Sequence, residues 1–145
     1  MAVRPLSVQQ INGLRNNPDN YESHSKTISK VNELIASKVG TNLTSKAVML
    51  SSGMGTPTSA TLTGSVKRGV VTATAGTSGL VANPTITVNF PSGEFDSVPF
   101  AQVSRSGGTG TLGYSYTVTQ NQLIITLTGT PLASETYTFS YMVVD

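Results

Sequence analysis

One histidine, seven carboxylates and no cysteine bound the chemistry open to this chain of 145 residues. Nucleophilic and acid–base catalysis need a nucleophile, a base and a group that orients the base. The histidine, His24, falls on a stretch with helical spacing, beside an apolar seam. It reads as a polar seam or surface residue, where it could set register or confer pH sensitivity. Glu94 and Asp96 share the loop Pro91-Ser92-Gly93-Glu94-Phe95-Asp96-Ser97 and could hold a calcium ion or act as a glycosidase pair. Two carboxylates two apart on a turn read instead as solvated charges, since an EF-type pattern and a third acidic ligand are missing. The runs Gly76-Thr77-Ser78-Gly79 and Gly107-Gly108-Thr109-Gly110 lack the Gly-Lys-Ser/Thr ending of a phosphate cradle and precede strand patterns, not helices. The absence of cysteine removes thiolate chemistry, disulfides and cysteine-ligated zinc together. No catalytic residue, metal site or cofactor is expected, and the chain is read as a non-enzyme.

Tyr114, Tyr116, Tyr137 and Tyr141 lie at alternating positions. Aromatic faces of this kind can bind sugars, but core or inter-subunit packing is the simpler reading. The absence of tryptophan weakens a lectin. Asn42-Leu43-Thr44 is a formal glycosylation sequon and carries weight only in an exported chain.

Charged residues are only 11% of the chain, and the nine basic ones are spread singly apart from Lys67-Arg68. Nucleic-acid binders show a clustered basic face, so that class is set aside. No apolar run reaches the ~18 residues of a membrane span. The start, Met1-Ala2-Val3-Arg4-Pro5, lacks the apolar core of a secretory leader. Low charge with abundant Thr, Ser and Gly is typical of exposed β-rich surfaces. Together these features lead to the expectation of a particle component, assembled in a host cytoplasm and used outside it. Export by a cleaved leader is the competing explanation.

The elements that must position these residues fall into two compositions. Residues 1–50 hold nine of the sixteen charges, while Ser and Thr make up about a third of the remainder. Ser7 and Gln10 form a capping-box pattern before Val8, Ile11 and Leu14, the apolar face of a short amphipathic helix. Such a helix of about two turns is marginal alone in water and needs a surface to lie on. Asn17 and Pro18 then cap a second helix running to about Val39, with Gly40 as its stop. Its positions read as heptads, with Tyr21, Ile28 and Ile35 at a and His24, Val31 and Lys38 at d, and with Ile28, Val31 and Ile35 as the strong core. β-Branched residues at both seam positions disfavour two strands and lean towards three. The alternative is that this face packs on the chain's own β-domain. A seven-residue repeat, narrower than a core-facing stripe, favours self-association.

Ser51-Ser52-Gly53-Met54-Gly55-Thr56-Pro57 reads as a flexible joint. Strand patterns follow at Ala60–Val66, Val70–Ala75, Thr85–Phe90, Pro99–Ser104, Leu112–Thr119, Gln122–Thr128 and Thr136–Val144. In the last of these, Tyr137, Phe139, Tyr141 and Val143 alternate with Thr136, Thr138, Ser140 and Met142, so one face is buried and the other wet. Gln120-Asn121 makes a tight hairpin of the two strands around it. The expected fold is mainly β: an antiparallel sandwich or jelly-roll-like head after a short helical anchor and neck. The expected division is residues 1–45 for the helical segment, 46–57 for the linker and 58–145 for the head.

The stretch Thr85–Pro91 followed by Phe95–Ser104, with its Phe-small-Pro turn between apolar strands, resembles the C-terminal β-heads of bacteriophage fibre and capsid-decoration proteins. A last strand of alternating aromatics and an N-terminal helix and neck are similar to that class as well. The resemblance implies a non-enzymatic homotrimer anchored by its N-terminal segment to a capsid or tail protein of the same particle. A length of 145 residues favours a capsid-decoration or head-fibre protein over the receptor-binding head of a tail fibre, where a host surface glycan would be the partner. A secreted carbohydrate-binding or adhesin domain is the next alternative, and a glycan-active enzyme, which lacks a catalytic set here, is the last.

Overall fold

The computed structural model describes residues 25–32 and 40–145. The chain divides into two compact units, Met1–Lys38 and Val39–Asp145. In the first, residues 25–32 form a helix whose eight residues are all exposed. The Ser29 hydroxyl folds back to the Ser25 carbonyl at 3.1 Å, satisfying itself on its own turn. Ile28 and Val31, three apart, share one side of this helix and are 50% and 48% exposed.

The second unit is an antiparallel β-sandwich. A 3-10 turn at Ser45–Ala47 leads into β1 (Val48–Leu50), β2 (Met54–Thr56), β3 (Ser59–Gly64), β4 (Arg68–Thr74) and β5 (Ser78–Leu80). Then come β6 (Thr85–Asn89), β7 (Phe100–Gly107), β8 (Gly113–Val118), β9 (Gln122–Thr128) and β10 (Thr136–Val144). One four-stranded sheet has the order β1-β6-β9-β8, the other β3-β4-β10-β7, and β2 and β5 form a separate ribbon. The core lies between the inner rows: Ile86, Val88, Leu123, Ile125 and Leu127 on one side, Leu62, Val71, Ala73, Val103, Tyr137, Phe139, Tyr141 and Val143 on the other. Tyr114 of β8 meets Phe139 of β10 edge-on at 4.8 Å, tying the two sheets. Phe90 and Phe95, 5.3 Å apart, add a second edge-on pair.

The period-two patterns decide which side chains enter this core. In β10, Tyr137, Phe139, Tyr141 and Val143 are buried, and Thr136, Thr138, Ser140, Met142 and Val144 face the other way. The Gln120-Asn121 tip forms as expected: Val118 pairs with Leu123, and the Thr119 N–H donates to the Gln122 carbonyl at 2.8 Å.

Three expectations fail. Residues 46–57 are not a flexible linker, and the head does not begin at residue 58. β1 pairs with β6, Val48 against Val88 and Leu50 against Ile86. Met54 is fully buried, and its carbonyl accepts the Gly76 N–H at 2.7 Å. Small hydroxyl residues that read as a joint here bond to backbone: Ser51 Oγ accepts the Thr85 N–H at 2.8 Å, and Ser45 Oγ accepts the Leu62 N–H at 3.1 Å. The β-unit starts still earlier, since Asn42 bridges to Ser65 and the Leu43 N–H donates to the Gly64 carbonyl at 3.0 Å. Residues 40–45, assigned to the neck by sequence, therefore belong to the head. The strand expected to reach Val66 ends at Gly64. Val66 lies at the tip of the β3–β4 hairpin and is fully buried there, its N–H bonded to the Thr41 carbonyl at 2.8 Å.

Candidate interaction surfaces

The expected anchor face, Val8, Ile11 and Leu14, lies outside the described residues, as do Tyr21, His24 and Ile35. Of the expected neck residues, Ile28 and Val31 are described, and both present open apolar area.

Three of the four carboxylate side chains in the head are engaged in holding it together, and the fourth, Asp96, is exposed. Glu94 accepts the Thr41 hydroxyl at 2.6 Å and the Thr41 N–H at 3.2 Å, which pins the first residues of the β-unit. The ends of the chain's last strand and of the β3–β4 hairpin are joined by Lys67 and Asp145 at 2.7 Å. That hydrogen bond holds the Asp145 carboxyl below its ordinary range. Glu135 accepts both the Tyr137 hydroxyl and the Leu132 N–H.

The tyrosines divide. Tyr137 and Tyr141 are core residues, Tyr114 is half-buried against them, and Tyr116 is exposed at 38%. Burial pushes the Tyr141 phenol up to about 12, with its hydroxyl donating to the Ser65 carbonyl at 2.7 Å. Tyr137 is raised further, by burial first and by the Glu135 hydrogen bond and charge second, with the Arg105 cation opposing. An unfolded phenol ionises near pH ~10. A folded pKa above the unfolded one contributes stability that is complete below ~10 and is lost as pH rises through the folded value. Ultraviolet titration of tyrosinate absorbance should therefore show a late step above about pH 11 that coincides with loss of β circular dichroism. Ionisation of all the tyrosines near pH ~10 with the fold intact would contradict this placement of Tyr137 and Tyr141.

Sequence reasoning passed over Arg105. It is on the inward parity of β7 with Ala101 and Val103, opposite Phe139, and Ser106 beyond it is left over where the register shifts. Its guanidinium lies 5.8 Å from the Tyr114 ring and 5.7 Å from those of Tyr137 and Phe139. One nitrogen donates to the Gly110 carbonyl at 3.2 Å and another to the Leu112 carbonyl, so a single side chain clamps the loop between β7 and β8. Gly110 packs so closely that a Cβ there would stand 2.1 Å from the Tyr137 ring. The glycine run that lacked the ending of a phosphate cradle enters this clamp through Gly110. The signal for Arg105 was its place in the alternation two after Val103, which the expected strand end at Ser104 cut off.

Concave features are present among the described residues. A groove of about 410 Å³ is lined by Asn42, Gly64, Ser65, Arg68, Gly69, Val70 and Tyr141. A smaller hollow of about 180 Å³ lies among Phe100, Ala101, Gln102, Met142 and Val144. Among the described residues no cluster of three or more His, Cys, Asp or Glu side chains could hold a metal ion. No family model, curated protein or solved structure matches the chain.

Proposed function

We propose that this chain is a non-enzymatic bacteriophage structural protein: a homotrimeric capsid-decoration or head-fibre protein whose N-terminal segment anchors a β-sandwich head to the particle. The observation that carries self-association is the open apolar stripe of Ile28 and Val31 on a helix exposed throughout. Its β-branched residues at both seam positions favour three strands over two. The particle assignment rests on the resemblance of residues 85–104 and of the closing aromatic strand to phage β-heads. A structural role is further supported by the carboxylates of Glu94, Glu135 and Asp145, which are spent on Thr41, Tyr137 and Lys67. Three weak anchors held in one assembly gain an avidity that none has alone.

An antiserum raised against residues 40–145 should label virions purified from the source lysate. Label confined to the soluble fraction, with none on particles, would overturn the assignment.

A further inference from the structure

We propose that the heads of associated copies meet through the outer face of the β3-β4-β10-β7 sheet, at Phe100, Met142 and Val144. This rests on the self-association just proposed and names the surface by which the heads take part. The β7–β10 register sets Phe100 beside Val144 and Gln102 beside Met142, so these residues share one end of one face. Phe100 is 84% exposed, Met142 53% and Val144 52%.

The rest of that face shows how this protein meets water. Ser104, Thr136, Thr138 and Ser140 continue the same two outward rows with hydroxyls. Thr72 and Thr138 bond to each other across β4 and β10 at 3.0 Å. Only at the Phe100 end do large apolar side chains replace hydroxyls in the two strands, and a contiguous exposed patch of this kind marks an interaction site. β7 is also an edge of its sheet. Natural edges are blunted by charge, proline or a bulge that turns the strand away. The one charged residue of β7, Arg105, points into the core, and the register shift lies at the opposite end from Phe100. Within β7 the Phe100 end of the edge carries neither charge nor bulge, and the only such device beside it is Pro99, just before the strand.

A second copy is the occupant that fits. Phe100, Gln102, Met142 and Val144 carry no charge, so the patch meets its own image without like-charge repulsion, and Arg68, beside Met142 in register, stands at its rim. Free-standing interfaces take about 20–30 residues a side. A patch of a few side chains around a hollow of about 180 Å³ falls well short. It needs a partner already held by a second contact, and copies of this chain bring one in the Ile28–Val31 stripe. Around a threefold axis the three Phe100 rings converge on one another.

The absence of native cysteine allows a direct test on the full chain. Phe100→Cys, Ile28→Cys and a control at exposed Leu132, Leu132→Cys, are oxidised separately at micromolar concentration and run on non-reducing gels. Phe100→Cys should give covalent dimers at about ten times the yield of Leu132→Cys or more. Linking through Ile28→Cys with none through Phe100→Cys above the control would overturn this inference and leave self-association standing. Linking at neither position would overturn both. Linking through Phe100→Cys with none through Ile28→Cys would also overturn it, because the patch alone falls short of a free-standing interface.

Discussion

A chain beginning at Gly40 is expected to fold into the complete β-sandwich, whereas one beginning at Thr58 is expected to have no cooperative fold. The shorter chain loses β1, and with it the pairing of Val48 and Leu50 along β6. It also loses Met54, fully buried, and the acceptor for the Gly76 N–H. Deleting a buried side chain of this size alone costs about 2–5 kcal/mol. An exposed β6 edge and several orphaned backbone groups add to that, each about 1–3 kcal/mol where burial persists. Against a total stability of about 5–15 kcal/mol, the sum removes most or all of the margin. Thermal unfolding followed by circular dichroism decides it: a sharp transition is expected for residues 40–145 and none for 58–145. A cooperative transition of residues 58–145 within a few degrees of the longer chain would show that β1 and β2 only decorate the sandwich.

The second large effect is expected at Arg105. Arg105 is half-buried, and cations drawn towards a core are often dispensable, because an apolar substitute avoids their desolvation. Here the substitute leaves a problem behind. Arg105→Met keeps the stem but abandons the carbonyls of Gly110 and Leu112, and Gly110 is buried. It also removes the cation from beside three aromatic rings, a contact worth about 0.5–2 kcal/mol. With one or two carbonyls unsatisfied at about 1–3 kcal/mol each, a loss of about 3 kcal/mol follows. For a domain of this size that lowers Tm by roughly 10–15 °C. Arg105→Lys should recover less than half of it, because an ammonium cannot reach two carbonyls in a fixed fork. An unchanged Tm in Arg105→Met would mean the loop between β7 and β8 is held by its glycine packing alone.

Both positions show where the sequence was legible and where it was not. β6, β9 and β10 have five, seven and nine residues, long enough for a period of two to declare their inner faces. The same alternation in β10 puts Met142 on the outward side. β1, β2 and β5 have three residues each, too few to display a period. They are held by partners distant in sequence, as Val48 is by Val88. The Ser, Gly and Thr of β2, β5 and the turns flanking β1 carry the composition of a linker, although the hydroxyls of Ser45 and Ser51 serve as backbone acceptors. Arg105 was hidden for the opposite reason: a cation at an inward position ends a strand pattern by eye, and only the rings of Tyr114, Tyr137 and Phe139 make that position tolerable. The helix that carries Ile28 and Val31 was legible from their three-residue spacing. The apolar patch at Phe100 was not, since it depends on β7 and β10 lying side by side.

Light scattering on the full chain at micromolar concentration tests the claim of self-association most directly. The expected molar mass is three times the 15.1 kDa of the chain. Ile28→Asp combined with Val31→Asp should shift it towards the monomer while the β circular dichroism is retained. A wild-type mass of 15.1 kDa at that concentration would contradict the trimer and leave the Ile28–Val31 stripe without its partner.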